Sequence, residues 1–133
     1  AFTEDGWFRT GDIALADAEG YHWLVDRKKD MFISGGENVY PAEIEAALAD
    51  HPTIVECAVV GVPDPQWGEV GHLVATCREG VALELADVLA HLESRLARYK
   101  LPKGLTLVAA LPRTASGKIL KTVLRERLTA ERP

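Results

Sequence analysis

Hydrophobic residues in this chain alternate in some stretches and recur every three to four positions in others, and the switches between these periods predict its elements. Ile13 to Ala16 and Tyr21 to Val25 read as strands around the turn signal Asp17-Ala18-Glu19-Gly20. Tyr21, Trp23 and Val25 alternate with His22 and Leu24, so one face of that hairpin asks for a partner sheet that the remaining residues are not expected to provide. The charged run Asp26 to Asp30 separates this segment from the next apolar stretch and reads as a linker.

Beyond the linker, Met31 to Ile33 and Asn38 to Tyr40 predict a short hairpin across Gly35-Gly36. Pro41 suits the first turn of a helix with Ile44, Ala47 and Leu48 on one face and Glu43 and Glu45 near its positive end, and His51-Pro52 stops it. Ile54 to Val62 and Val70 to Cys77 are β-rich apolar runs flanking the loop Pro63-Asp64-Pro65-Gln66-Trp67-Gly68, which predicts two sheet strands. Leu85, Val88, Leu89, Leu92 and Leu96 keep helical spacing, and Arg95, Arg98 and Lys100 enrich the end where cations are favoured. Leu105 to Val108 predicts a third strand. Leu120, Val123, Leu124 and Leu128 mark a closing amphipathic helix. The expected fold class is α+β: a small three-stranded sheet with flanking helices, plus an N-terminal β-hairpin pair.

With 133 residues and 47% hydrophobic content, the chain can bury one modest core, which limits it to a compact domain with an appendage. It opens at Ala1 in a segment that reads as the middle of something, so a piece of a longer polypeptide is expected. The formal charge of -5, with no face that gathers lysine and arginine, argues against nucleic acid as a partner but not against a small anionic ligand. No apolar run reaches the length of a membrane span and no signal peptide is visible, so a cytoplasmic setting is expected. Cys57 and Cys77 sit in strand-like runs without metal-ligand spacing and are expected to be buried, reduced thiols. His22, His51, His72 and His91 form no ligand set or triad, so no metal site is assigned.

The sharpest candidate for chemistry is Lys118, in Pro112-Arg113-Thr114-Ala115-Ser116-Gly117-Lys118. A lysine at the tip of a small-residue turn can deliver one positive charge to a phosphate. By itself the stretch reads more readily as a turn into a helix with a solvated lysine. A Walker A loop is excluded, because Pro112 stands at its first glycine and Ile119 follows the lysine where a hydroxyl is required.

Three further motifs precede that loop in order: Trp7-Phe8-Arg9-Thr10-Gly11-Asp12, Asp26-Arg27-Lys28-Lys29-Asp30 and Ser34-Gly35-Gly36-Glu37-Asn38-Val39-Tyr40-Pro41. The ordered set resembles the C-terminal end of adenylate-forming enzymes, and among these the acyl-CoA synthetases, over essentially the whole chain. The resemblance implies an ATP-dependent acid–thiol ligase present as an incomplete fragment that is inactive alone. Residues 1–28 are then the end of a large AMP-binding domain and residues 29–133 a mobile C-terminal domain. Its implied substrates are a carboxylic acid, of fatty or aromatic type, together with ATP and CoA. Mg2+ is held mainly by the large N-terminal domain of the same chain.

By the same resemblance, Lys118 is the catalytic cation of adenylation, Asp12 accepts the ribose hydroxyls and Arg27 contacts the nucleotide. Lys29 is the hinge about which the C-terminal domain swings between two poses. Gly35, Gly36, Trp67, Tyr99 and Lys103 line the path of CoA and its pantetheine arm, with Trp67 stacked on the adenine. Leu101 departs from the pattern, standing where a CoA-contacting relative can carry an arginine, which leaves the phosphate grip to Lys100 and Lys103. Blander readings stay open: a turn aspartate for Asp12, a solvated charge for Arg27, a plain hairpin turn for Gly35-Gly36, a sheet-capping core residue for Trp67. Two other functions also remain, an adenylation domain that loads a carrier-protein pantetheine and a non-catalytic interaction module.

Overall fold

The two longest apolar runs pair with each other, and the rest of the fold is arranged around them. In the computed structural model, which describes residues 1–131, the elements are β1 (Asp12–Ala16), β2 (His22–Arg27), β3 (Phe32–Ser34), β4 (Glu37–Val39), α1 (Pro41–Ala47), β5 (Ile54–Asp64), β6 (Gly68–Cys77), α2 (Leu85–Leu92), a 3-10 turn at Arg98–Lys100, β7 (Gly104–Leu107) and α3 (Lys121–Ala130). β5 and β6 are antiparallel from Ile54 opposite Cys77 to Asp64 opposite Gly68. The strands therefore run further than the apolar pattern implies and leave only Pro65-Gln66-Trp67 between them. Asp64 closes that turn, its Oδ1 accepting from the backbone N–H of Gln66 and of Trp67, each at 2.9 Å.

β7 lies parallel to β6, from His72 opposite Gly104 to Ala75 opposite Leu107. The three expected strands thus form the centre. The β3–β4 hairpin adds to them through the pair Ser34–Gly68, making a five-stranded sheet with order β4-β3-β6-β5 and β7 beside β6. Sequence patterning treats that hairpin as separate because a single bridging pair leaves no periodic trace.

Both faces of β5 and β6 are buried, which is why these strands read as continuous apolar runs rather than alternating ones. Val59, Leu73 and Ala75 face one cluster with Ile44, Leu48, Val88 and Leu92 of the α1–α2 side. Ala58, Val60, Val62, Val70 and Val74 face the other, with Leu111 and with Leu124 and Leu128 of α3. The expected long second helix stops at Leu92, and Leu96 reaches the first cluster from the turn that follows. Arg95, expected to favour a helix end, instead anchors Asp50 at 2.7 Å.

β5 is a sheet edge, and edges left bare invite pairing with other chains. Side chains from both helical layers cover this one. The Glu45 carboxylate accepts from the Val59 N–H at 3.2 Å, Arg125 Nε donates to the Gly61 carbonyl at 3.2 Å, and Lys121 pairs with Glu45 at 2.9 Å. Cys57 sits half-buried beside this pair, and Cys77 is likewise half-buried and free. Burial, reinforced by the Glu45 charge and opposed by Lys121, pushes the Cys57 thiol up to about 11. At pH 8 that leaves roughly one molecule in a thousand as the reactive thiolate. Iodoacetamide at pH 8 is expected to modify Cys57 far more slowly than a free cysteine in solution, read by mass spectrometry. Labelling at the free-cysteine rate contradicts the burial.

β1 and β2 form their own two-stranded sheet, from Asp12 opposite Arg27 to Ala16 opposite His22. Its apolar surface is open: Tyr21 is 69% and Trp23 50% exposed, and Phe2, Trp7, Phe8, Leu15 and Leu24 are exposed as well. Of the face expected from the Tyr21/Trp23/Val25 alternation, Tyr21 and Trp23 are open but Val25 is half-buried, and Leu24 of the other face is open too, so the ribbon is uncovered on both sides. This hairpin touches the larger sheet's layer where Asp26 Oδ2 accepts from the Ala42 N–H of α1 at 2.9 Å. Among the described residues no helix is long and apolar enough to cross a membrane.

Candidate functional site

Lys118 is held out by a loop whose backbone is fixed at both ends. Arg113 and Ile119 bridge across its base, and the Leu120 N–H donates to the Pro112 carbonyl at 2.8 Å. Inside the loop the Thr114 N–H donates to the Lys118 carbonyl at 2.8 Å, while the Lys118 N–H donates to Thr114 Oγ1 at 3.1 Å. Gly117 takes a φ of +89°, a left-handed conformation that only glycine adopts readily, and this turns the chain back before the lysine. Arg113 fastens the loop to the sheet, donating through Nη1 to the Gly117 carbonyl at 2.7 Å and through Nη2 to Glu56 of β5. Lys118 itself is exposed and forms no ion pair among the described residues.

Opposite this loop lies the end of β2 with the turn after it. Arg27, Lys29, Asp30, Arg113, Gly117, Lys118 and Lys121 are among the residues that line one cleft of about 430 Å³. Five of the residues just named are cationic and one is acidic, an excess of positive charge suited to a small polyanion. Asp12 reaches the cleft's edge through Arg27: the two stand opposite each other in the β1–β2 register, with Arg27 Nε 2.9 Å from Asp12 Oδ1. Asp12 and Arg27, read separately in the sequence, are therefore one ion pair, and Asp12 is not a turn aspartate bonding its own backbone.

A second cavity of about 520 Å³ collects Ser34, Trp67, Arg98, Tyr99 and Lys103. Trp67 is not a core residue. It is 44% exposed and rests on the Gly35-Gly36 loop, where the Gly35 N–H donates to the Trp67 carbonyl at 2.9 Å. A β-carbon on Gly35, whose φ is +59°, would lie 3.0 Å from Cε3 of the indole, so the close approach needs glycine there. Lys103 Nζ stands 5.9 Å from the Trp67 ring centre. Lys100 does not join this cavity. It donates to both carboxylate oxygens of Glu43 at 2.9 and 3.0 Å, and that bond holds its ammonium above the ordinary lysine range. Lys100, expected to share a phosphate grip with Lys103, is instead committed to Glu43.

Residues 43–118, more than half of the chain, match the profile of the AMP-binding enzyme C-terminal domain. The chain belongs to that family. It is 53% identical over 123 residues to a feruloyl-CoA synthase of an Amycolatopsis species, covering 92% of this chain and 25% of that protein. It is 50% identical over 130 residues to a long-chain-fatty-acid–CoA ligase of Mycobacterium tuberculosis, covering 98% of this chain and 26% of the relative. The ATP-bound MatB of Rhodopseudomonas palustris superposes with a TM-score of 0.87 at 43% identity, over 95% of this chain and 25% of that one. The chain thus spans about a quarter of the length of the curated relatives it matches.

In this AMP-binding C-terminal domain the matched stretch contains Trp67, Tyr99 and Lys103 and ends on Lys118, whereas Asp12, Arg27, Lys29, Gly35 and Gly36 precede it. Two residues of the sites escaped the sequence reading. Arg113 is one, because its partner Glu56 lies 57 positions away and no local pattern announces the contact. Arg98 is the other, because its place in a cation-rich run after a helix gives no sign of the cavity it lines. Among the described residues no group of His, Cys, Asp and Glu is arranged to hold a metal.

Proposed function

We propose that this domain is the moving lid of an ATP-dependent acyl-CoA synthetase acting on a fatty or aromatic acid. Residues 1–28 are the end of its large domain and residues 29–133 the lid, of which 132 and 133 lie outside the described residues. The observation that carries the reading is the shared cleft: Lys118 and Arg27, far apart in sequence, face the same cationic space, with Asp12 bound to Arg27 at its edge. The open apolar face around Tyr21 and Trp23 supports the division, since a two-stranded ribbon is marginal without cover and the rest of the large domain supplies it.

In the first step a carboxylate oxygen of the acid attacks the α-phosphorus of ATP. The P–O bond to the β-phosphate breaks, and pyrophosphate leaves with the electron pair. Negative charge gathers on the α-phosphoryl oxygens, where the Lys118 ammonium meets it from a loop already fixed by Arg113 and Thr114. Asp12, steadied by Arg27, receives the ribose hydroxyls. Mg2+ accompanies ATP in the large domain. Rotation about Lys29 then carries Lys118 away and brings Gly35-Gly36 in. In the second step the CoA thiol, losing its proton, attacks the acyl carbon, and AMP leaves with the former carboxylate oxygen.

The aromatic and cationic cavity at Trp67 fits free CoA as the acceptor, because an exposed indole beside a lysine can hold a base and its phosphates together. Replacing Trp67 and Lys103 together by alanine in the full-length polypeptide is expected to raise KM for CoA by about tenfold or more, on the scale of one lost stacking contact plus one charged contact. Unchanged thiolation kinetics in that double variant assign the acceptor role to a carrier-protein pantetheine instead.

A further inference from the structure

We propose that Arg98 recognises the 3′-phosphate of CoA. The inference rests on free CoA as the acceptor. Its basis is the 3-10 turn at Arg98–Lys100, closed by the Leu101 N–H donating to the Arg98 carbonyl at 3.2 Å. Arg98, at the start of the turn, is exposed, whereas the chain leaves the turn at Leu101 in an extended conformation. Leu101 itself is drawn inward and packs against the α1–α2 core cluster.

Arg98 is exposed, lines the cavity with Trp67, Tyr99 and Lys103, and pairs with no carboxylate among the described residues. None of the residues that line this cavity is acidic. Lys100, the neighbouring cation, is committed to Glu43 and sits over the Tyr99 ring at 5.6 Å. The two cations that remain differ in what they can grip. A guanidinium presents a planar fork that suits two oxygens of one terminal phosphate, whereas the Lys103 ammonium acts as a point charge. CoA offers one terminal phosphomonoester, on the ribose 3′-oxygen next to the adenine. Its diphosphate is internal and carries single charges. Adenine on Trp67 sets that ribose beside the aromatic pair, and the dianionic monoester falls to Arg98.

The test compares CoA with 3′-dephospho-CoA in thiolation of supplied acyl adenylate by the full-length polypeptide. Arg98→Ala is expected to raise KM for CoA roughly tenfold, the loss of one charge-assisted contact, with kcat little changed. KM for dephospho-CoA is expected to stay at its wild-type value, so that the preference of the enzyme for CoA disappears. Arg98→Lys recovers part of the preference, because it keeps the charge and loses the fork. An equal rise for both thiols in Arg98→Ala, or no rise for either, overturns the assignment. Trp67→Ala separates the two levels of failure. If it weakens both thiols while Arg98→Ala changes neither, Arg98 alone is misassigned; if neither variant matters, free CoA as the acceptor falls as well.

Discussion

Replacing Lys118 by alanine in the full-length polypeptide is expected to slow acyl-adenylate formation on the order of a hundredfold or more, the scale for removing one preorganised charge from a developing anion. The structure makes this a clean experiment. Lys118 is exposed, lies outside both core clusters and forms no ion pair among the described residues, so its removal costs no internal contact. The loop is shaped by Gly117, Thr114 and Arg113, none of which needs the lysine side chain. Arginine at position 118 is expected to rescue poorly, because a planar fork cannot occupy the place of a compact ammonium at a crowded phosphorus. Adenylation is read by ATP–pyrophosphate exchange, and thiolation separately from chemically prepared acyl adenylate. Thiolation is expected to be largely spared. Equal losses in both half-reactions contradict a lid that removes Lys118 before the thiol arrives.

Leu73→Ala is expected to cost about 2–5 kcal/mol, the range for truncating a buried leucine that leaves a cavity. Leu73 is fully buried at the middle of β6. It stands opposite Val59 of β5 on one edge and Leu105 of β7 on the other, and it packs in the cluster that includes Ile44 and Leu92. A loss of that size is a large share of the roughly 5–15 kcal/mol that holds a domain together. In the multidomain polypeptide proposed above a single melting point is a poor reporter, and hydrogen exchange of β5 and β6 amides is the better one. Those amides are expected to exchange much faster in Leu73→Ala than in Leu15→Ala, whose side chain is already half exposed on β1. The Lys118 loop should loosen with them, since Arg113 ties it to Glu56 of β5. Equal exchange in the two variants rejects Leu73 as a keystone of the core.

The elements themselves were legible in the sequence, and the reason is local. Short runs around the turn signal Asp17-Ala18-Glu19-Gly20 marked β1 and β2, uninterrupted β-rich runs marked β5 and β6, and Pro41 with the Ile44/Ala47/Leu48 spacing marked α1. Each depends on residues within one or two turns of each other, so periodicity carries the information. The family was legible for a related reason, because four short motifs in a set order are a one-dimensional signal.

What the tertiary structure alone decided is which distant residues meet. It brought Arg27 and Lys118 to one cleft, joined Asp12 to Arg27 across a strand pair, and set Trp67 against Gly35. It also sorted cations that look alike in a row: Lys100 goes to Glu43, Arg95 to Asp50, Arg113 to Glu56, while Lys118, Lys103 and Arg98 face open cavities. The sequence lists these charges in order but holds no record of their partners. An ion pair between residues dozens of positions apart is set by how sheet and helices pack, and only packing decides whether a charge is neutralised inside the domain or left for a ligand.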